Sequence, residues 1–318
     1  MPAPFNAQRL AVLRLSVAPF AAAEAMSSEM AAFGQFYGID FERQIDGVEH
    51  RVGSLHTGDH TVVMHQYLCP GATSNLLLLH GYLDHCGMFG HLIEYGLKRG
   101  SNVLIFDYPG HGLSTGEPAV IDDFQEYSLA AIAVLAAAQL PVLPYWTMAQ
   151  STGCSVMMEL ARASHWQFSA AVMLAPLVRV ADWRFVLCVH SLLGRFIDGK
   201  KRTFSVNSSN SEFLAFQRAD PLQSHRLSMR WIGAWRRWLS GLPLEDIGMG
   251  PVLVVQGDRD GTVAWKRNMK DIPQLIPHAE IYYLAGAGHQ LANESGQFRA
   301  RYMEQIDQFL SRQMPQLP

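Results

Sequence analysis

The chain predicts an α/β fold: a mostly parallel central sheet flanked by helices, with a helical cap inserted between two of its strands. Three observations carry this. Short apolar runs bounded by turn residues alternate with helix-spaced segments through residues 39–176 and again through 247–318. Between them the alternation stops for about seventy residues, too long a stretch for a simple loop. A chain of 318 residues can also bury roughly 75% of the surface its unfolded form exposes, enough for a deep core and a closed pocket.

Residues 1–38 are expected to form an N-terminal helical segment. "RLAVLRLSVAPFAAAEA" is apolar, but Arg14 and Pro19 interrupt it, and its longest uncharged run, Leu15–Ala23, has only nine residues. That is far short of a membrane span. An amphipathic helix that docks on the body or touches a membrane surface is expected here in preference to a cleaved signal peptide.

The core begins with "VEHRVGSLHTG" and "HTVVMHQYLCP", two strands around a Gly58-Asp59 turn. "NLLLLHG" reads as a buried parallel strand. A helix over 88–99, the strand "NVLIFD", a helix over 123–139 and the strand "PVLPYWTM" follow, then a helix from Ser151 and the strand "SAAVMLAP". Residues 177–246 form the expected cap, with "GKKRTF" and "MRWIGAWRRWLSGL" in it. "PVLVVQGDRD", a helix near 264–276, "AEIYYLAGAGH" and a terminal helix complete the core. Phe298, Tyr302, Ile306, Phe309 and Leu310 share one face of that last helix.

Composition narrows the function. With 49% apolar and 17% charged residues and a formal net charge of −3, no basic excess points to nucleic acid. The four cysteines, Cys69, Cys86, Cys154 and Cys188, form no CxxC pair, so reduced thiols are expected rather than a disulfide framework or metal knot. The expected location is cytoplasmic, peripheral at a membrane where the cap or the N-terminal helix touches it.

Ser151 stands between a strand-like and a helix-like run, in "AQSTG". It reads either as a helix N-cap or as a nucleophile on a tight turn, small-x-Ser-x-small, with Ala149 where glycine is commoner. A serine nucleophile needs a histidine base held in one tautomer. Asp260 follows one late strand and His289 the next, both at carboxyl ends where parallel sheets gather ligands. Asp258 competes with Asp260 for the acid. The backbone N–H groups of Tyr82, after His80-Gly81, and of Thr152 are the candidate oxyanion donors. His80 and His111 read as loop braces and Cys154 as a packing thiol. Asp84 and His85 remain open between a pocket rim and a local contact.

"HGYLDHCGMF", "FDYPGHGLSTGEP", "AQSTG", "GDRDGTV" and "GAGH" together resemble the α/β-hydrolase superfamily. Within it they resemble the monoacylglycerol lipase and lysophospholipase-like branch, the serine aminopeptidase S33-type hydrolases. The resemblance implies an α/β-hydrolase fold and a serine ester hydrolase with Ser151, Asp260 and His289 as its triad. It implies a lipid-like ester substrate such as a monoacylglycerol or lysophospholipid, and neither metal nor organic cofactor. An aminopeptidase or amidase, or a carbon–carbon bond hydrolase, fits the same triad, and a non-catalytic small-molecule binding protein is the alternative from another class. Trp231, Trp235 and Trp238 share one cap-helix face flanked by Arg230, Arg236 and Arg237. They read either as core packing with solvated arginines or as an acyl-chain wall with arginines near lipid head groups.

Overall fold

The computed structural model describes residues 5–22, 26–194 and 196–314. Its frame is an eight-stranded sheet, four of whose inner strands are buried along their whole length. The strands are β1 (Glu49–Thr57), β2 (His60–Leu68), β3 (Ser74–Leu79), β4 (Ser101–Phe106), β5 (Tyr145–Gln150), β6 (Ala170–Leu174), β9 (Val252–Gly257) and β10 (Glu280–Leu284). Their order is β1-β2-β4-β3-β5-β6-β9-β10; β2 pairs antiparallel with both β1 and β4, and every other pairing is parallel.

Side-chain alternation divides the core into two layers. Leu76 and Leu78 of β3 face the layer under α3 (Gly90–Lys98) and α10 (Gly296–Gln313), with Tyr302, Ile306, Phe309 and Leu310. Leu77 and Leu79 face α4 (Gln125–Ala137), α5 (Thr152–Arg162) and α9 (Trp265–Leu275). Each of these leucines is fully buried, which contributes roughly 1.5–3 kcal/mol per side chain.

The strand expected from Pro141 starts only at Tyr145. Pro141 and Pro144 carry no backbone N–H for a ladder, so the sheet begins beyond them.

Of the expected N-terminal segment, residues 1–4 and 23–25 lie outside the described residues. The remainder forms α1 (Ala7–Ser16) and α2 (Ser28–Tyr37). Leu10 and Leu13 are buried, and Pro19 bridges in parallel to Ser54 on the outer strand β1. A Cβ on Gly53 would fall on the Phe20 backbone, so the glycine admits this segment against the strand.

Between β6 and β9 lie α6 (Trp183–Leu193), α7 (Ser211–Ala219) and α8 (Met229–Ser240). A short antiparallel ribbon, β7 (Gly199–Lys201) with β8 (Arg226–Ser228), joins them. The ribbon departs from the all-helical expectation. Its strands have three residues each, with Lys200 and Lys201 in one and Arg226 in the other, and no apolar period marks them.

Candidate active site

At the end of β5 the chain must turn into α5 with no intervening loop. Ser151 takes the turn at φ 54°, ψ −112°, a strained conformation for a residue with a Cβ. Its N–H donates to the Leu174 carbonyl (2.9 Å), and its carbonyl accepts from Cys154 and Leu177 (3.0 and 3.2 Å). The strain is therefore held by the neighbouring strand and the new helix. Gly153 makes the turn feasible, because a Cβ there would strike the Leu79 carbonyl and lie 2.9 Å from that of His80. Ala149 is buried without conflict where glycine was expected to be commoner.

The Ser151 side chain does not cap α5. Its hydroxyl lies 3.0 Å from His289 Nε2, and His289 Nδ1 lies 2.8 Å from Asp260 Oδ2. A carboxylate can only accept here, so Nδ1 carries the proton and Nε2 is free to accept from the serine. Asp260 Oδ1 accepts from the Thr262 and Val263 N–H groups (2.8 and 3.1 Å), and Oδ2 also accepts from Gln256 Nε2 (3.1 Å). Burial raises the Asp260 pKa, but the adjacent His289 and the two backbone donors outweigh it, so the carboxyl sits below its ordinary value. Asp258 instead accepts from the Gly286 N–H (2.7 Å) and shapes the loop that carries the histidine.

The loop after β3 lies against this line. A Cβ on Gly81 would sit 3.5 Å from Ser151 Cβ and 2.8 Å from Asp84 Oδ2. His80 accepts from the Tyr108 N–H at Nε2 (3.0 Å) and donates from Nδ1 to the Gly81 carbonyl (2.8 Å). In a trans peptide the carbonyl and the following N–H point opposite ways. Tying the Gly81 carbonyl to His80 therefore turns the Tyr82 N–H away from it. Among the described residues no acceptor takes the N–H of Tyr82 or of Thr152. His111 Nδ1 donates to the Pro109 carbonyl (2.9 Å) and braces the adjacent loop. Cys154 is fully buried, and burial pushes its thiol pKa up.

The three cap tryptophans divide. Trp231 stacks on the Tyr82 ring of the loop after β3, with centroids 4.0 Å apart. Trp235 Nε1–H donates to the Val178 carbonyl (3.0 Å) and Trp238 Nε1–H to Glu159 (3.1 Å), both buried in the packing of α8 on the body. Of the three rings, Trp231 is the one stacked on a residue of the candidate site. The flanking arginines, which the sequence leaves open between solvent and lipid head groups, make surface contacts. Arg230 pairs with Asp122 and Glu117, Arg236 donates to Ser191, and Arg237 donates to the Asp122 carbonyl. They tie α8 to neighbouring segments.

Several residues that organise the site carry no local sequence signal. Gln150 donates to the His289 carbonyl (2.9 Å), and the Asn207 carbonyl accepts from both His289 and Gln290 N–H groups (2.9 Å each). These contacts span 139 residues in the first case, and no spacing rule reaches so far. Asp84 accepts from Gln290 at both oxygens (3.0 and 3.1 Å). His85 Nε2 donates to Asp220 Oδ2 (2.8 Å), and Tyr37 OH to Asp220 Oδ1 (2.7 Å), so one cap carboxylate joins α2, the loop after β3 and the cap.

That buried pair carries a pH signature. For both groups burial opposes the charged form, but the partner outweighs it: Asp220 is lowered from 3.8 and His85 raised from 6.5. The stabilisation from Asp220 is present above its ordinary range and lost as pH falls through the lowered value. That from His85 is present below pH 6.5 and lost as pH rises through the raised value. Stability to urea is thus expected to gain most from the pair between about pH 4 and 6.5. In Asp220→Asn the decline above that window should flatten; an unchanged slope would exclude the charged pair.

A family model described as serine aminopeptidase, S33, matches residues 71–296. A monoacylglycerol lipase of Mycolicibacterium smegmatis is 26% identical over 244 residues, 70% of this chain and 83% of that protein. A monoglyceride lipase of Rattus norvegicus is 26% identical over 272 residues, 77% and 86% of the two chains. Among solved structures, a soluble variant of monoglyceride lipase from Saccharomyces cerevisiae, in complex with a substrate analogue, superposes with a TM-score of 0.70 at 17% identity. That match covers 82% of this chain and 94% of the other, and shows the α/β-hydrolase fold.

Proposed function

The chain belongs to the serine aminopeptidase S33 family, and from that premise we propose that it cleaves lipid-like carboxylic esters through an acyl-enzyme on Ser151. The observation that carries this reading is the continuous hydrogen-bonded line from Ser151 through His289 to Asp260, with two unengaged N–H groups beside it.

His289 Nε2 takes the hydroxyl proton as Ser151 Oγ attacks the ester carbonyl. The Tyr82 and Thr152 N–H groups hold the oxygen that becomes negative, each worth about 10²–10³ in rate. Asp260 holds the imidazole in the accepting tautomer and stabilises the imidazolium that forms. The C–O bond to the alcohol then breaks, and His289 returns the proton to the departing alkoxide. Water attacks the acyl-enzyme, giving its proton to His289, and the acid leaves as Ser151 regains a proton. The neutral imidazole is the reactive form, because a protonated ring has no lone pair for the serine.

Monoacylglycerols and lysophospholipids are the proposed substrates. The curated relatives named as monoacylglycerol or monoglyceride lipases support the first. The peptidase alternative needs an ionised acid for a free amine. Asp84, in the loop after β3, has its pKa raised by burial, and both its oxygens already accept from Gln290. Rates on monoacylglycerols, lysophospholipids and aminoacyl amides of matched size test the choice. Faster turnover of the amides would displace the ester reading.

Contact with a lipid surface is part of the same proposal. Phe185, Leu192 and Leu193 of α6, with Phe196 and Ile197 beyond it, are exposed on the cap. An apolar patch of this kind suits an interface. No helix among the described residues is long and apolar enough to cross a membrane.

A further inference from the structure

We propose that Arg202 determines specificity by receiving an anionic group, a phosphate or a carboxylate, on the leaving alcohol of the substrate. This rests on the ester hydrolase reading above and selects within it an acidic head group over a neutral glycerol.

Arg202 leaves the β7 ribbon with its N–H on the His225 carbonyl (2.8 Å). Its Nη1 donates to Gln223 Oε1 (2.6 Å) and the Ser224 carbonyl (3.3 Å), and the guanidinium lies 4.4 Å from the Phe204 ring centroid. Gln223 in turn reaches Asp220, which holds His85, the residue after Asp84. At the far end of the ribbon the Ser228 N–H donates to the Tyr82 hydroxyl (3.3 Å). The guanidinium is thereby anchored above the 81–85 loop.

Both side-chain acceptors of Arg202 are neutral amide oxygens, and among the described residues no carboxylate forms an ion pair with it. Asp220 is already committed to His85 and Tyr37. Burial disfavours the charge of Arg202, and the fields of Asp84, Tyr82 and Asp220 only partly offset this, so its pKa is lowered. A desolvated cation whose partners are neutral gains most from an anion that arrives with the substrate.

The side of the ester follows from the chemistry. The leaving oxygen must face His289, which protonates it. Asp84 is bound to Gln290, the next residue after that histidine. Gln223 and Asp220 link the Arg202 guanidinium to His85, the neighbour of Asp84, and the same ribbon meets Tyr82. That geometry sets Arg202 on the alcohol side, while the Tyr82–Trp231 stack offers an apolar wall elsewhere.

The test compares kcat/KM on three lauroyl esters: 1-lauroylglycerol, 1-lauroylglycerol 3-phosphate and 3-lauroylglycerate. Wild-type protein is expected to favour the anionic esters, and whichever of the two is preferred identifies phosphate or carboxylate as the ligand. In Arg202→Gln the ratio of the preferred anionic ester to the neutral one should fall about 10–100-fold, the range of a charge-assisted contact. Arg202→Lys should restore part of it. A wild-type preference for the neutral ester, or a ratio unmoved in folded Arg202→Gln, overturns the proposal. Failure of Ser151 to label with a fluorophosphonate in wild-type protein would instead overturn the hydrolase reading on which it rests.

Discussion

Ser151→Ala should lower kcat by about 10⁵–10⁶-fold, the scale on which serine hydrolases lose activity with their nucleophile. Stability should change by no more than about 1 kcal/mol, the net worth of one hydrogen bond. The Ser151 hydroxyl bonds His289 and does not cap α5, so the helix keeps its start without it. An N-cap serine would show the reverse pattern, a loss of about 1 kcal/mol with activity retained. Adding His289→Ala to Ser151→Ala should lower kcat little further, because base and nucleophile act as a unit. Steady-state kinetics and thermal melts on the single and double variants measure both quantities.

Asp260→Asn should cost about 10⁴ in kcat with the fold intact. The substitution keeps an oxygen to accept from Thr262 and Val263 N–H. The new amide nitrogen, however, would donate toward His289 Nδ1, which must then accept. The ring proton moves to Nε2, where it faces the serine and blocks attack. The same variant carries a stability signature. The depressed Asp260 carboxyl stabilises the fold above its ordinary range, and that share is lost as pH falls through the lowered value. Between about pH 5 and 3 the wild-type protein should lose more stability than Asp260→Asn. Urea titrations across that range decide it, and equal losses would mean the carboxylate is not held as described.

Much of this architecture is legible in the residues because its signals are local. "NLLLLHG" and "SAAVMLAP" are continuous apolar runs ending in turn residues, and both are parallel strands buried along their length. Gly58-Asp59 turns the β1–β2 hairpin as its dipeptide implies. Asp260 and His289 could be nominated because each closes a strand in a Gly-rich loop, although only the fold brings them within a hydrogen bond of one another and of Ser151.

The cap was harder to read. The spacing of Trp231, Trp235 and Trp238 defines a buried face but not what each ring meets, and two of the three meet structural acceptors. Gln150, Asn207 and Asp220 organise the candidate site through partners far away in the chain or through backbone carbonyls. Neither leaves a periodic trace.

Catalysis as proposed runs through a covalent intermediate on one serine. Rapid-quench mass spectrometry of wild-type protein mixed with an excess of a lauroyl ester tests it most directly. A transient mass increase of one lauroyl group is expected, mapped to the peptide containing Ser151 and absent from Ser151→Ala. Turnover with no acyl adduct at any quench time, or undiminished turnover by Ser151→Ala, would contradict it.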